Sequence, residues 1–342
     1  MPRVGRHPLK KVTGLKFDYK PQQVTISTIV HIPTLDGYWA ESLDVCKLFI
    51  QSLYANTSLP FDLMVFDNGS CEEVQDYLLG LRQDGRIQYL ILSEHNLKKL
   101  GALSFLLSAA PGEYVAYADS DVYFFPGWLE TSLKVLEAFP ESGKVTALPI
   151  VGGDVTKITP KIYEAAVKDP SIMVETGLLV PDQYVQAHQL SIGKDLTTFM
   201  SSHPDRKDAA FSRNGIRAYY STADFQFTIT RWAAQAVLPL QVEHPREYFD
   251  PIYSPVLEIR LAQKGIWQLS TPEYLVHHMG NRVPDLRAEL PWLDAIPDLE
   301  TTSAPHPADK STGKKNQILG NRLVRQALKR VNSLSYRLLY ED

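Results

Sequence analysis

Asp119 and Asp121, separated by Ser120, close the apolar run Tyr114-Val115-Ala116-Tyr117-Ala118. The β-branched and aromatic content of that run, with Pro111-Gly112 as a turn signal before it, predicts a buried strand ending on two carboxylates. Ligands of open α/β sheets gather outside the carboxyl ends of strands, so acids there are placed to meet a bound group. Two neighbouring hard oxygen donors suit Mg2+ or Mn2+, and those ions suit phosphates. The competing reading of Asp-x-Asp is a solvated acidic loop; the strand in front of it gives this short pattern its weight.

Other residues with chemical potential stand at comparable places. Asp67-Asn68-Gly69-Ser70 follows the apolar run 61–66, its Asn-Gly pair signalling a tight turn. Glu94-His95-Asn96, with Lys98 and Lys99 just beyond, follows the run 87–92. Asp250 directly precedes Pro251, the pattern of a helix N-cap followed by its first residue. His277 and His278 end an extended stretch, where alternation lets only one of them face a shared ligand.

These groups must be positioned by a regular framework. Val24–Val30 reads as a β-branched strand that stops at Pro33, and apolar residues at helical spacing follow over 43–54. Strands at 61–66, 87–92 and 114–118 alternate with helices at 74–81 and 100–110. That alternation predicts parallel β-α-β units with right-handed crossovers. Beyond Asp121 the pattern is mixed. Helices are expected at 128–139, 231–237 and 252–263, and strands at 144–151, 225–230, 267–269 and 274–277. Residues 158–180 fit neither period, and 193–216 reads as a long irregular loop of the kind that carries function. Most aromatics near the acids, Trp128, Tyr219, Tyr220, Tyr248, Phe249 and Trp267, are expected in core or rim packing.

The 342 residues, 44% hydrophobic and 22% charged, suit a soluble globular chain with ample core. A net charge of −4 supplies no global field for nucleic acid. No apolar run approaches the roughly 20 residues of a membrane span, and the start lacks a signal peptide's apolar segment. Cys46 and Cys71 suit free thiols in a reducing compartment. The expected location is cytoplasmic, peripheral at the inner face of the membrane if the last helix binds lipid.

Pro33 after the first strand, Asp67-Asn68-Gly69-Ser70 after the second, Asn96 in the next loop and Asp119-Ser120-Asp121 after the fourth occur in an order and spacing that resemble the family 2 glycosyltransferases with the GT-A fold. The resemblance covers residues 24–130 well and 215–280 more loosely. It implies an α/β fold with a mixed, mainly parallel central sheet flanked by helices. It also implies a metal-dependent transfer of sugar from a nucleotide-diphosphate sugar to an acceptor hydroxyl, with inversion. Pro33, Asp67, Asn96, Asp119 and Asp121 are then donor-binding, with Asp67 on the base. Asp119 and Asp121 hold Mn2+ or Mg2+, and His277 or His278, the former slightly favoured, supplies a third ligand. Asp250 matches the family's base, with Glu258 in reserve. The chain departs from the family's pattern at Asn68, where a second Asp is common, and at Lys98, where a glycine is.

The domain reading is a basic N-terminal arm over 1–21 and a catalytic domain over 22–290. The latter divides into a nucleotide-binding half, 22–130, and an acceptor half, 131–290. A linker follows at 291–316, then a basic amphipathic helix at 317–342 suited to a membrane surface or a second subunit. Rival readings are a retaining transferase of the same fold, a non-catalytic sugar-nucleotide-binding protein, and a haloacid-dehalogenase-type phosphatase. The last normally carries Asp-x-Asp on its first strand. The class of acceptor is not encoded in any motif.

Overall fold

The computed structural model describes residues 20–152, 154–158, 160–240 and 255–293. Along the chain it runs β1 (Val24–Val30), α1 (Ser42–Asn56), β2 (Phe61–Asn68), α2 (Glu72–Gln83), β3 (Tyr89–Ser93), α3 (Lys98–Ala109), β4 (Tyr114–Asp119), β5 (Val122–Phe124) and α4 (Trp128–Ala138). It continues with β6 (Ser142–Thr146), α5 (Val155–Ile158), α6 (Pro160–Lys168), β7 (Met173–Gly177), α7 (Asp182–Ser191), α8 (Leu196–Ser202), β8 (Asp208–Arg213) and β9 (Ile216–Tyr219). Then come β10 (Gln226–Thr230), α9 (Arg231–Val237), α10 (Val256–Gln263), β11 (Trp267–Ser270), β12 (Val276–His278) and α11 (Leu286–Glu289).

Ten strands form one sheet in the order β3-β2-β1-β4-β10-β6-β11-β9-β8-β7. The first four are parallel, as the strand-helix alternation demands, because a parallel return requires a crossover helix. β10 enters antiparallel between β4 and β6, and β6 and β11 are parallel. The sheet is therefore mixed, with most strands sharing one direction. β1 and β2 are buried along almost their whole length because both of their faces are covered. Phe49, Leu53, Leu63 and Val74 pack on one face, and Leu103, Leu106, Phe227 and Leu261 on the other.

Several sequence expectations change. The segment 193–216 is not one irregular loop, for it holds α8 and β8. Asp195 caps α8 by accepting from the Thr198 amide at 2.9 Å, and β8 buries Ala209 and Phe211. The polar stretch between them conceals both short elements. The undecided stretch 158–180 contains α6 and β7. β6 stops at Thr146, and β12 pairs with β5 in a separate two-stranded sheet instead of returning to the main one. The helix expected at 252–263 is described from Val256 onward. Most of the N-terminal arm, most of the linker, the C-terminal helix and Asp250 lie outside the described residues.

Trp128 and Tyr117, each 1% exposed, belong to the core. Tyr219, Tyr220 and Trp267 are buried as well.

Candidate active site

The register of the parallel strands brings the motif residues to one end of the sheet. Val30 of β1 pairs with Asp67 and Ile29 with Asp119, so the two acids flank the carboxyl end of the same strand. The chain leaving β1 is pinned to the turn after β2: the Ile32 amide donates to Ser70 Oγ at 3.0 Å and the Cys71 amide to the Ile32 carbonyl at 2.9 Å. Pro33 follows, exposed beside that turn.

Asp67 does not face the cleft. It is fully buried, and its carboxylate accepts from the Ser70 amide at 3.2 Å and from Gln75 Nε2 at 3.1 Å. This corrects the expectation of a direct base contact: the carboxylate shapes the turn that Gly69, at φ +81°, closes. Asn68 links the turn to the next loop. Its Nδ2 donates to Asn96 Oδ1 at 3.0 Å and its Oδ1 accepts from the Leu97 amide at 2.7 Å. Asn96 Nδ2 in turn lies 3.0 Å from His31 Nε2, while His31 Nδ1 lies 3.0 Å from the Asn68 carbonyl. A carbonyl can only accept, so His31 carries its proton on Nδ1 and takes the Asn96 amide on Nε2. Where the family favours glycine, Lys98 itself adopts a left-handed backbone with φ +60°.

Lys99, in the first turn of α3, reaches the acids. Its Nζ lies 2.8 Å from Asp119 Oδ2 and 3.1 Å from Asp224 Oδ2. Burial opposes its charge, yet the two carboxylates outweigh burial and raise its pKa. The Asp119 carboxyl is raised by burial and by Asp121 and Asp224 against the opposing pull of Lys99, and it also accepts from the Tyr117 hydroxyl.

β12 supplies the histidine. It pairs antiparallel with β5 so that His278 stands opposite Val122, and the Met279 amide donates to the Asp121 carbonyl at 2.7 Å. His278 Nε2 then lies 3.3 Å from Asp121 Oδ2. Alternation sends His277 the other way, where it is 1% exposed, with Nδ1 2.8 Å from the Tyr274 hydroxyl and Nε2 3.0 Å from Glu289 Oε2. The slight preference for His277 as metal ligand is thereby corrected to His278. Its Nδ1 faces the Ser191 carbonyl at 3.2 Å and must donate, so Nε2 of the neutral ring carries the lone pair that could take an ion. Burial disfavours the charged ring, but Asp121 and Asp119 lift its pKa to about 9.

A divalent cation fits this donor set. Asp121 Oδ1 is buried and has no hydrogen-bond partner among the described residues, an acceptor whose desolvation nothing offsets. No group of three or more His, Cys, Asp or Glu side chains suited to a metal occurs among the described residues. Asp121 and His278 would therefore hold an ion that takes its other ligands from phosphate oxygens and water, the usual habit of Mg2+.

Glu258, the reserve base, is engaged elsewhere. It accepts from Lys144 Nζ, a fully buried ammonium that also donates to Thr222 Oγ1 at 2.8 Å and to the Ala223 carbonyl at 2.7 Å. Burial lowers the Lys144 pKa against the pull of Glu258. Sequence reasoning missed Asp224, His31 and Lys144. Asp224 lies two residues before β10, but only the antiparallel insertion of that strand beside β4 makes its start a neighbour of Asp119. His31 directly follows the first strand and was legible by the rule that singled out Asp119.

The glycosyl transferase family 2 model matches residues 30–188, a span that includes Pro33, Asp67, Asn96, Asp119 and Asp121. An uncharacterized glycosyltransferase of Rickettsia bellii is 32% identical over 88 residues, 26% of this chain and 12% of the relative. One from Rickettsia felis is 28% identical over 88 residues, 26% of this chain and 14% of its own length. This chain thus spans only a small part of those relatives. Among solved structures, a mannosyltransferase from Pyrobaculum calidifontis in complex with GDP-Man and Mn2+ shares 13% identity at a TM-score of 0.43, covering 75% of this chain and 56% of that one. S. aureus TarS 1–349 shares 12% identity at a TM-score of 0.41, covering 75% and 60%. Likeness at that level speaks to neither activity nor substrate. The family match and the gathering of its motif residues at one sheet end agree: residues 30–188 are similar to glycosyl transferase family 2.

Proposed function

We propose that the protein transfers a sugar from a nucleoside-diphosphate sugar to an acceptor hydroxyl, with Mn2+ or Mg2+ held by Asp121 and His278. The observation that supports this reading most is the buried, unpartnered Asp121 Oδ1 beside His278 Nε2 at the carboxyl end of β4. The bond from the anomeric carbon to the diphosphate oxygen breaks with its electron pair going to the leaving diphosphate, and the acceptor oxygen forms the new bond. A cation held by Asp121 and His278 would neutralise charge developing on the leaving group. Asp119, tethered by Lys99 and Tyr117, is the group for the ribose or for metal-bound water. The His31–Asn96–Asn68 network presents the base side of the donor site, with Pro33 at its rim.

The acceptor proton goes to Asp250, the base that a single, inverting displacement requires. Glu258, already bonded to Lys144, is the weaker choice of base. Turnover of a panel of sugar nucleotides in the presence of Mn2+ tests the reading. Asp121→Asn is expected to reduce turnover at least a hundredfold with the melting temperature kept, and unchanged turnover would overturn the proposal. Asp250→Asn tests inversion separately, because a retaining enzyme would not need that carboxylate.

A further inference from the structure

A cavity of about 630 Å3 lies between the residues following β6, helices α5 and α6, the loop 220–222 and α10. That volume is typical of small-molecule sites. Its wall is largely apolar, with Val151, Ile162, Ile259 and Ala262 among the lining residues. Among the described residues lining it, Glu258 is the one carboxylate, and it is already paired with the buried Lys144 ammonium. Gln268 adds an acceptor. Its Nε2 donates to the Glu258 carbonyl at 2.9 Å, which fixes the orientation of the amide, and its Oε1 is buried with no partner among the described residues.

The cavity and the acid cluster share one loop. Thr222 lines the cavity and accepts from Lys144; two residues on, Asp224 accepts from Lys99, which also holds Asp119. A molecule seated in the cavity therefore ends beside the loop that frames the proposed reaction centre. We infer that this cavity receives the apolar, uncharged body of the acceptor, an alkyl chain or an aromatic ring system carrying the hydroxyl to be glycosylated. This inference rests on the transferase reading above. It narrows the acceptor to amphiphilic alcohols and sets aside charged or wholly polar ones, because the largely apolar wall formed by the described residues favours burial of apolar surface and penalises an ion.

Titration calorimetry on the full chain with octanol and with naphthol tests it. At least one probe is expected to bind, with the dissociation constant weakened tenfold or more in Ala262→Phe, which fills the cavity. Ile259→Asp, at a position 49% exposed and so tolerant of a charge, is expected to weaken binding likewise and serves if the first variant does not fold. Preference for octanol assigns a chain, and preference for naphthol assigns a ring. Binding of neither probe, or equal binding by the wild type and a folded variant, would overturn the inference. Titration of the same wild-type protein with a nucleoside diphosphate and Mn2+ separates the two failures. Donor-product binding without probe binding removes the cavity assignment alone, whereas absence of nucleoside-diphosphate binding removes the transferase reading.

Discussion

Asp121 and Lys144 illustrate opposite solutions to burying charge. Asp121 leaves one carboxylate oxygen without a partner among the described residues, whereas Lys144 uses all three of its donors on Thr222, Ala223 and Glu258. Removing one member of a buried pair strands the other, so Glu258→Ala is expected to cost about 3–5 kcal/mol of unfolding free energy. The double variant Lys144→Met with Glu258→Gln should recover much of that loss, and denaturant titration measures both. If Glu258→Ala leaves stability unaltered, the pair does not hold the 222–223 loop. The cysteines differ in kind. Burial, aided by Asp121, pushes the Cys46 thiol up to about 12, whereas Cys71 is only partly buried. Iodoacetamide on the native protein should therefore modify Cys71 alone, as read by peptide mass mapping.

At the scale of elements, the site depends on how tightly β1 and β4 approach. Gly112 lies where the chain enters β4, its amide donating to Thr25 Oγ1 at 2.9 Å. A Cβ built on it would lie 2.6 Å from the Thr25 nitrogen and 2.8 Å from the Gln23 oxygen, both backbone atoms that cannot step aside. Gly112→Ala is expected to destabilise the protein by several kcal/mol, on the order of 2–4, and to lower turnover by displacing the end of β4. A melting temperature within a degree of the wild type would contradict this. The start of α3 carries the converse case. Lys98 holds φ +60° where glycine would sit freely, so Lys98→Gly should leave stability equal or raise it by up to about 1 kcal/mol. Lys98→Val should lower it, since a β-branched residue resists that conformation.

Over the whole molecule, two histidines near the site set opposing limits on stability in the metal-free protein. His188, stacked on Phe225, is depressed to about 4, chiefly by burial and then by His278 and His277. Its neutral form is the one the fold accepts, so the unfolded chain takes up the proton first, and stability falls as pH drops from about 6.5 towards 4. His278, raised to about 9 against burial by Asp121, behaves in the reverse sense. Its contribution is complete below 6.5 and is lost as pH rises through 9. Taken together, these two groups place maximum stability near pH 6.5. Melting temperatures against pH check this, with His188→Gln expected to flatten the acid limb and His278→Gln the alkaline one. Added Mn2+ should shift the alkaline limb upward, because a metal on Nε2 replaces the proton there.

The parallel units from β1 to β4 and the residues at their carboxyl ends were determined by the sequence alone, because period and turn chemistry are local and a parallel pair cannot close without a helix between its strands. Residues 30–188 carried enough of that pattern to match the glycosyl transferase family 2 model. What no local rule contains is which distant segments become neighbours. Only the antiparallel insertion of β10 put Asp224 beside Asp119, only the pairing of β12 with β5 chose His278 over His277, and only the closure of the turn buried Asp67. Each of these is a matter of register, and register is decided by the packing of both sheet faces at once.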